Sequence, residues 1–376
     1  MQGDDVHLWN RFEQTFKHQH LRWLEKWLGL PPLPMERFDP ASVRNILVVR
    51  QHDQLGDFLL STPVFAALRT LFPDCPLTLV ARENTAQLMR HDPNVDRVIP
   101  FAGNGRDWTL TALTALLTAA RNRFDLAIVL NTVSHSLTSD LIARLCCRRY
   151  IVGPEHLLFG GTSRNFFYNL TAPQPDADRH QSERNLDIVR PLGVIGGDPH
   201  ERIFITGEER AAARRQWMAW GRDQRRPLVI VHPGAGKLEN RWPVALFAAL
   251  ANRLQETLPL QLAVSWGPAE EALGRELVAS LHAPALIAVD KDLRRLAALY
   301  SQAGLFICND TGVMHLAASV STPLAAVFGP TDPALWKPWG ADFCAVRAED
   351  HRCASVAVDS MHETCLKLLY NKKLIH

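Results

Sequence analysis

Short apolar runs alternate with stretches of helical periodicity along most of this chain. In the first half, the apolar runs predict buried strands at 45–50, 77–80, 95–101, 125–130 and 150–152. Helical patterns lie between these runs, at 58–71, from 86 onward, at 108–121 and at 137–147. Because strands that alternate with helices form parallel sheets, the first half predicts an α/β domain.

The second half repeats this alternation and predicts a second domain of similar size. Its strands are predicted at 228–232, 261–266, 286–289, 305–308, 324–328 and 343–346, and its helices at 243–254, 270–281, 293–301 and 313–320. The stretch 160–180 is rich in Gly, Asn, Thr and Pro and predicts a loop. Two Rossmann-like halves follow, with these predicted segments: an N-terminal helix and linker at 1–43, a first domain at 44–192, a second domain at 193–345 and a C-terminal helical tail at 346–376.

The N-terminal pattern predicts one amphipathic helix over 5–30. Its aromatic face includes Phe12, Trp23 and Trp27, with basic residues among them, and Gly29 helps to end it. An aromatic face with basic neighbours suits a membrane interface. We favour the other interpretation, a helix docked on its own protein, because amphipathic helices usually face a core.

Composition and charge narrow the class of protein. The 376 residues are 47% hydrophobic and 21% charged, as in an ordinary soluble globular protein, and a net charge of +2 argues against a nucleic-acid partner. The seven scattered cysteines predict free thiols in a reducing compartment and no zinc site. No apolar run reaches the roughly 18 residues of a membrane span, and the N-terminus lacks a signal-peptide core. We therefore expect a cytoplasmic protein, with contact at the cytoplasmic face of the inner membrane left open.

Polar residues follow predicted strands where a ligand would bind in an open α/β sheet. Asp310, Thr311 and Gly312 come directly after one strand and precede a helix that carries His315. Free N–H groups and the positive dipole end of such a helix suit a phosphate. Asp310 and Thr311 could equally be helix caps, and Asp57, after the first strand, is by itself more typical of a cap than of a proton acceptor.

The second domain offers two further turns of this kind. Gly234 and Gly236 follow the strand 228–232, and the basic residues Lys237 and Arg241 lie nearby, so the turn could form an anion nest or an ordinary connection. Neither a G-x-G-x-x-G fingerprint nor a P-loop is present, which weakens nicotinamide and P-loop nucleotide interpretations. After the next strand, Glu270 and Glu271 could hold ribose hydroxyls or complement a helix dipole.

Taken together, these segments resemble the bacterial lipopolysaccharide heptosyltransferases, glycosyltransferase family 9. The first-domain match is ILVVRQHDQLGDFLLSTPVFAALRTLFPDCPLTLVARE, continued by DPNVDRVIPF. The second-domain matches are IVHPGAGKLENRWPVALFAALANRL, SWGPAEEA and NDTGVMHLAASVSTPLAAVFGPTDPALWKPWG. The resemblance covers roughly residues 44–345. It implies a GT-B fold, in which two Rossmann-like domains with parallel sheets face a central cleft.

The resemblance implies an inverting, metal-independent glycosyltransferase. It would move heptose from ADP-heptose to a lipid-linked lipopolysaccharide core oligosaccharide and would need no cofactor. Asp57 matches the family's proposed catalytic base. The turn formed by Asp310, Thr311 and Gly312, together with His315, matches the part that holds the donor's diphosphate and sugar.

Other family positions bear on the donor. Glu270 or Glu271 matches the ribose-contacting acid, and the loop from Gly234 to Gly236 would border the phosphates. One position departs from the family: Asn240 stands where a lysine commonly offsets diphosphate charge. Lys237 or Arg241 would then supply the charge, and the donor's identity stays open. The alternatives are a GT-B enzyme for another nucleotide sugar, a sugar-nucleotide epimerase, or a catalytically silent binding relative.

Candidate acceptor-binding residues lie in the first domain. They are Gly56, beside the predicted base, and the three basic residues Arg50, Arg69 and Arg82, which could meet phosphates or carboxylates of the acceptor. Each arginine is at least as often a solvated surface residue.

Overall fold

The computed structural model of this protein describes residues 23, 25–51, 54–101, 123–156, 158, 162, 164–340 and 342–374. The predicted helix at 108–121 lies outside the described residues, as does most of the predicted N-terminal helix.

The first sheet is parallel throughout and has the strand order β3-β2-β1-β4-β5-β6. Its strands are β1 (Ile46–Arg50), β2 (Leu77–Arg82), β3 (Arg97–Phe101), β4 (Phe124–Val129), β5 (Cys147–Pro154) and β6 (Leu170–Ala172). Strand β1 is central and wholly buried, and Val48 aligns with Leu79 of β2 and Ile128 of β4. The predicted parallel sheet is confirmed. The prediction of a loop over 160–180 missed β6, whose three residues are too few to show a strand pattern.

The second sheet repeats the first. Its order is β12-β11-β10-β7-β8-β9, again parallel. The strands are β7 (Leu228–His232), β8 (Gln261–Val264), β9 (Leu286–Ile287), β10 (Leu305–Asn309), β11 (Leu324–Phe328) and β12 (Phe343–Arg347). In both domains the strand order reverses beside the first strand, between β1 and β4 and between β7 and β10. Ligands of open α/β sheets bind at such points, beyond the carboxyl ends of the strands.

Helices connect the strands and cover the sheets. Those of the first domain are α1 (Leu55–Leu59), α2 (Pro63–Leu71), α3 (Glu83–Ala86), α4 (Leu137–Cys146) and α5 (Gln181–Asp187). The helices of the second domain and of the C-terminal segment are α6 (Gly207–Ala219), α7 (Val244–Thr257), α8 (Glu271–Ala279), α9 (Leu293–Tyr300), α10 (Gly312–Ser319), α11 (Pro333–Trp336) and α12 (Val358–Asn371).

Two helix predictions need correction. The single helix predicted over 58–71 is two helices, because Pro63 begins α2, where its missing N–H costs nothing. Helix α6 was not predicted, since only Ala213 and Trp217 of it are buried and it has no apolar stripe. The available signal was the capping box that Thr206 and Glu209 form at its start.

The C-terminal helix α12 packs on the second domain. Its buried residues Met361, Cys365 and Leu368 share a core with Val229 and Val231 of β7. The segment predicted as a tail at 346–376 is therefore attached to the second sheet, whose last strand itself runs to Arg347.

Direct contacts join the two domains. The guanidinium of Arg294, at the start of α9, is 3% exposed and donates to Leu88 O of the first domain and to Phe204 O, each at 2.7 Å. It also makes a bidentate ion pair with Glu209, at 2.6 and 2.7 Å. A separate contact runs from His180 Nε2 at the start of α5 to Lys337 O, at 2.8 Å. Backbone and side-chain bonds of this kind fix how the two sheets face each other.

The chain before β1 lies along the first domain. Leu30 N donates to Phe166 O at 2.8 Å, and Arg144 Nε donates to Leu28 O at 2.7 Å. Trp23 and Trp27, in contrast, are 61% and 65% exposed, with ring centroids 6.2 Å apart. None of the helices in the described ranges has the length and apolar character that crossing a membrane requires.

Candidate active site at the domain junction

The site forms where two strand-to-helix turns, one from each domain, touch. Four residues separate the end of β1 from the start of α1, and two separate the end of β10 from the start of α10. A Cβ atom at Gly312 would lie 3.1 Å from Leu55 Cβ and 3.3 Å from Gly56 N, and one at Gly56 would lie 2.9 Å from His315 Cδ2. Glycine at both positions allows this close approach. The structure thus brings Gly56, Gly312 and His315 together.

Asp57 lies in the first turn of α1 and is partly exposed at this junction. Its backbone oxygen accepts a hydrogen bond from Arg50 Nη2 at 3.0 Å. Arg50 is 1% exposed and lies beneath the turn, so it supports the turn and is not open to an acceptor in the cleft, contrary to prediction. The negative charge of Asp57 is near enough to His315 to contribute to raising the pKa of that imidazole.

The other two arginines have different positions. Arg82 ends β2 at the same sheet edge as Asp57 and is partly exposed, so its predicted role stays a prediction. Arg69 binds Asp96 at 2.6 Å, and Asp96 in turn accepts from Leu77 N at the start of β2. These contacts are at the amino ends of the strands, the opposite edge of the sheet. The structure does not bring Arg69 to the site.

The turn before α10 is not closed by a side-chain cap. Thr311 precedes the helix with extended backbone, and its side chain makes no capping hydrogen bond. The Asp310 carboxylate accepts from Asn240 Nδ2 at 3.0 Å instead. Of the two sequence interpretations, capping is therefore not what these side chains do. Helix α10 therefore begins at the junction without a side-chain cap, and the N–H groups of an uncapped helix start suit an anion.

Asn309, the last residue of β10, organises the surrounding loops. It is buried; its Oδ1 accepts from Trp242 N at 2.8 Å, and its Nδ2 donates to Pro233 O at 2.8 Å and to Gly234 O at 3.2 Å. One amide thus holds the glycine loop and the Asn240 segment against the turn of Asp310. Asn309 was not among the residues predicted from the sequence, although it is the first residue of the Asn-Asp-Thr-Gly turn.

The structure separates Glu270 from Glu271. The Glu270 side chain is 14% exposed, and its Oε2 accepts from Gly267 N at 2.9 Å and lies 3.2 Å from His232 Nε2. It lies over the glycine loop, since a Cβ atom at Gly234 would be 2.2 Å from Glu270 Cδ. Glu271 is exposed and pairs with Arg275 at 2.7 Å. Only Glu270 belongs to the site.

The charge state of Glu270 follows from these contacts. Burial alone would raise the pKa of its carboxyl, but the hydrogen bond and charge of His232, the Gly267 N–H and the charge of Arg241 together hold the pKa below its usual range. Glu270 is therefore an ionised hydrogen-bond acceptor at neutral pH. His232 gives this carboxylate its position, a role that its place at the end of β7 did not reveal.

The remaining donor candidates border the glycine loop. Gly236 has open space on the side where a Cβ atom would be, and Lys237 beside it is exposed. Arg241 Nε donates to Ala235 O at 2.8 Å, which holds the guanidinium against the loop. Asn240 is 7% exposed and occupied with Asp310 and, at 3.4 Å, Thr331 Oγ1. The basic side chains are thus at the loop's outer side, away from the position that Asn240 fills.

His315 is the buried titratable group of the junction. It is 3% exposed, and its Nδ1 donates to Glu201 Oε1 at 2.8 Å. Burial alone would lower the pKa of this imidazole, but the carboxylate of Glu201, followed by those of Asp310 and Asp57, raises it above its ordinary value. Within the part of the chain that the structure describes, no three His, Cys, Asp or Glu side chains gather as they do around a metal ion.

Comparison with known proteins decides the family. The model of glycosyltransferase family 9 (heptosyltransferase) matches residues 114–366, about two thirds of the chain. The chain belongs to glycosyltransferase family 9. The lipopolysaccharide heptosyltransferase 3 of Escherichia coli K12 is 26% identical over 297 residues, covering 76% of this chain and 82% of that protein. The resemblance drawn from the sequence motifs is confirmed, and this member of the heptosyltransferase family is a glycosyltransferase.

Solved structures agree with the fold. A glycosyl transferase of family 9 from Veillonella parvula superimposes with a TM-score of 0.77 at 22% identity, covering 87% of this chain and 97% of that one. The E. coli ADP-heptose lps heptosyltransferase II superimposes with a TM-score of 0.72 at 20% identity, covering 88% and 99%. The predicted GT-B fold, with two parallel-sheet domains facing a cleft, is confirmed.

Proposed function

We propose that this glycosyltransferase moves a heptose from ADP-heptose to a lipopolysaccharide core acceptor with inversion at the anomeric carbon. The observation that carries the proposal is the junction itself, where the first turn of α1, which contains Asp57, lies against the uncapped start of α10 from the other domain. One side of the junction offers a proton acceptor, and the other offers N–H groups for a diphosphate. Membership of the heptosyltransferase family supports the choice of sugar.

In the proposed reaction Asp57 is the general base. An acceptor hydroxyl gives its proton to Asp57 as its oxygen attacks the anomeric carbon of the donor. The new C–O bond forms on the face opposite the diphosphate, and the bond to the diphosphate breaks with its electron pair, so ADP leaves and the configuration inverts. Because a single displacement needs no covalent enzyme intermediate, one carboxylate on the acceptor side suffices.

The diphosphate would be held without a resident metal or cofactor. Negative charge grows on ADP as it departs, and the N–H groups and dipole of α10, at Gly312, oppose that charge. Lys237 and Arg241, at the outer side of the glycine loop, would supply the further positive charge that the family places at position 240. Of the predicted acceptor contacts, Gly56 and Arg82 would meet the acceptor at the carboxyl ends of the first sheet's strands.

The ionised Glu270 would accept hydrogen bonds from the ribose hydroxyls of the nucleotide. We expect Glu270→Gln to weaken ADP binding about tenfold to hundredfold, because a hydrogen bond to a charged group contributes about 1.5–3 kcal/mol. We also expect ADP to bind more tightly than UDP or GDP. Isothermal titration calorimetry measures both effects. Glu271→Gln is the matched control and should leave the affinity unchanged.

A second candidate function, transfer from another nucleotide sugar, rests on Asn240. This residue leaves Asp310 without the cationic neighbour that the family's lysine would provide. If UDP or GDP binds more tightly than ADP in the same titration, this second candidate replaces ADP-heptose.

An equal loss of affinity in Glu270→Gln and Glu271→Gln would contradict the assignment of Glu270.

The exposed pair Trp23 and Trp27 would meet a membrane surface that carries the lipid-linked acceptor. Indole rings are favoured at membrane–water interfaces, and these two are mostly exposed. We expect replacement of both by alanine to reduce sedimentation of the chain with anionic vesicles. Tyr370→Ala, at an exposed aromatic residue of α12, is the control. Unchanged sedimentation of the double variant would support the docked-helix interpretation instead.

A further inference from the structure

The linker between the two domains passes directly behind the junction. Arg202 N donates to Thr62 Oγ1 of the first domain at 3.0 Å, and Ile203 N donates to Ser319 O of α10 at 2.9 Å. Between these anchors and the start of the linker, Glu201 turns inward and is 4% exposed. A carboxylate is therefore buried where the linker contacts both α10 and the turn between α1 and α2.

Glu201 has one partner that explains its burial. Its Oε1 accepts from His315 Nδ1 at 2.8 Å, whereas its Oε2 is buried and makes no hydrogen bond with the described residues. An ion pair with an unsatisfied oxygen is a poor source of stability, because the cost of desolvating both charges is only partly offset. Its position at the junction suggests that the pair serves the site.

The opposite edge of the His315 ring faces the reaction side. A Cβ atom at Gly56 would lie 2.9 Å from Cδ2 and 3.5 Å from Nε2 of His315, so this edge is turned to the residue next to Asp57. With Nδ1 committed to Glu201, a second proton on the ring has to be on Nε2, which points toward the junction. An imidazolium in this place presents positive charge to the site.

We propose that Glu201 is a positioning residue that holds His315 in place as the cation of the junction. In this chain Asn240 stands at the position where the family commonly has a lysine. The proposal rests on the proposed function of this site. As Asp57 takes the acceptor proton, negative charge grows on the departing diphosphate, and a fixed cation in the first turn of α10 would stabilise that charge. Asn240 is neutral and cannot do so.

The titratable groups around His315 fix the direction of the pH dependence. They are Glu201 on the linker, Asp57 on α1, Asp310 before α10 and His180 at the start of α5. The three carboxylates raise the pKa of His315. Removing the charge of Glu201, the largest of their contributions, should therefore let His315 lose its proton at lower pH.

The test compares Glu201→Gln with wild-type protein in two measurements. NMR titration of histidine-labelled protein, with the His315 resonance assigned from its loss in His315→Gln, should show a lower pKa for His315 in the variant. The alkaline limb of kcat should move to lower pH with it, so that the variant approaches wild-type turnover at the acid end of the profile and falls about tenfold or more below it at the alkaline end. Glu201→Asp keeps the charge and should keep the raised pKa.

Asp198→Asn provides the control, since Asp198 is an exposed carboxylate of the same linker that pairs with Arg202. It should leave both profiles unchanged. An unchanged His315 pKa in Glu201→Gln, or an equal loss of turnover at every pH, overturns the proposal. The NMR titration needs no substrate, so it decides the role of Glu201 even if ADP-heptose proves not to be the donor.

Discussion

Replacing Asp57 with asparagine is expected to lower turnover by about 10²- to 10⁴-fold, the usual contribution of a positioned general base. Asparagine has nearly the same shape but cannot take the acceptor proton. The fold and ADP affinity should survive, because the Asp57 carboxylate stands at a partly exposed position in the first turn of α1. Steady-state kinetics at saturating substrates, with calorimetry for ADP, measures both.

Glu83→Gln is the matched control for Asp57→Asn. Glu83 is likewise an exposed acid in the first helical turn after a strand, in the neighbouring βα unit of the same sheet. Removing the charge of Glu83 should change turnover little. Near-normal transfer by Asp57→Asn would remove Asp57 from the mechanism, and an equal loss in both variants would show a general effect of first-turn charge.

The second large effect is expected from Arg294→Met, which should lower the free energy of unfolding by about 3–5 kcal/mol. This is the usual cost of breaking a buried ion pair by removing one partner. The change removes the donor of Leu88 O and Phe204 O and leaves the Glu209 carboxylate without its cation, at the contact that joins the two domains. Urea denaturation followed by fluorescence measures the loss.

Its neighbour Arg295 supplies the control. The Arg295 side chain is 68% exposed and pairs with Asp290 at 2.9 Å. Such surface pairs contribute about 0–1 kcal/mol, so Arg295→Met should change stability little. If the two methionine variants were equally stable, the buried network of Arg294 would not be what holds the domains together.

The same network predicts a pH dependence. The hydrogen bond from Arg294 is the largest cause that lowers the pKa of Glu209, from 4.5 to about 2. A lowered carboxyl pKa adds stability above the unfolded value, and this contribution is lost as the pH falls. The difference in stability between wild type and Arg294→Met should therefore shrink between pH 4.5 and about 2. A constant difference across this range would contradict the assignment.

The two sheets could be predicted because buried parallel strands leave continuous apolar runs. Strand β1 and strand β7 are wholly buried, and both were visible in the sequence. What failed was structure without such a pattern: the three-residue β6 and the solvent-facing α6. A strand of three residues is too short to show an apolar pattern, and a helix with only two buried residues has no apolar stripe.

The site was predictable only as far as its residues stand in strand-end turns. Asp57 and Asp310 were found because the carboxyl ends of parallel strands meet at one edge. Glu201 does not stand in a strand-end turn. Its role comes from a contact with His315, which is 114 positions away in the chain. Arg69 was misplaced because a helix that follows a parallel strand runs back along the sheet, so its last turn returns to the opposite edge.

Product analysis with ADP-heptose and defined truncated core acceptors tests whether this protein is an inverting heptosyltransferase. We expect one ADP to be released for each acceptor extended by one heptose, with the anomeric configuration inverted relative to the donor. Release of ADP should fall with Asp57→Asn in proportion to product. Binding of ADP without product from any acceptor, retained configuration, or an isomerised donor formed without acceptor would contradict it.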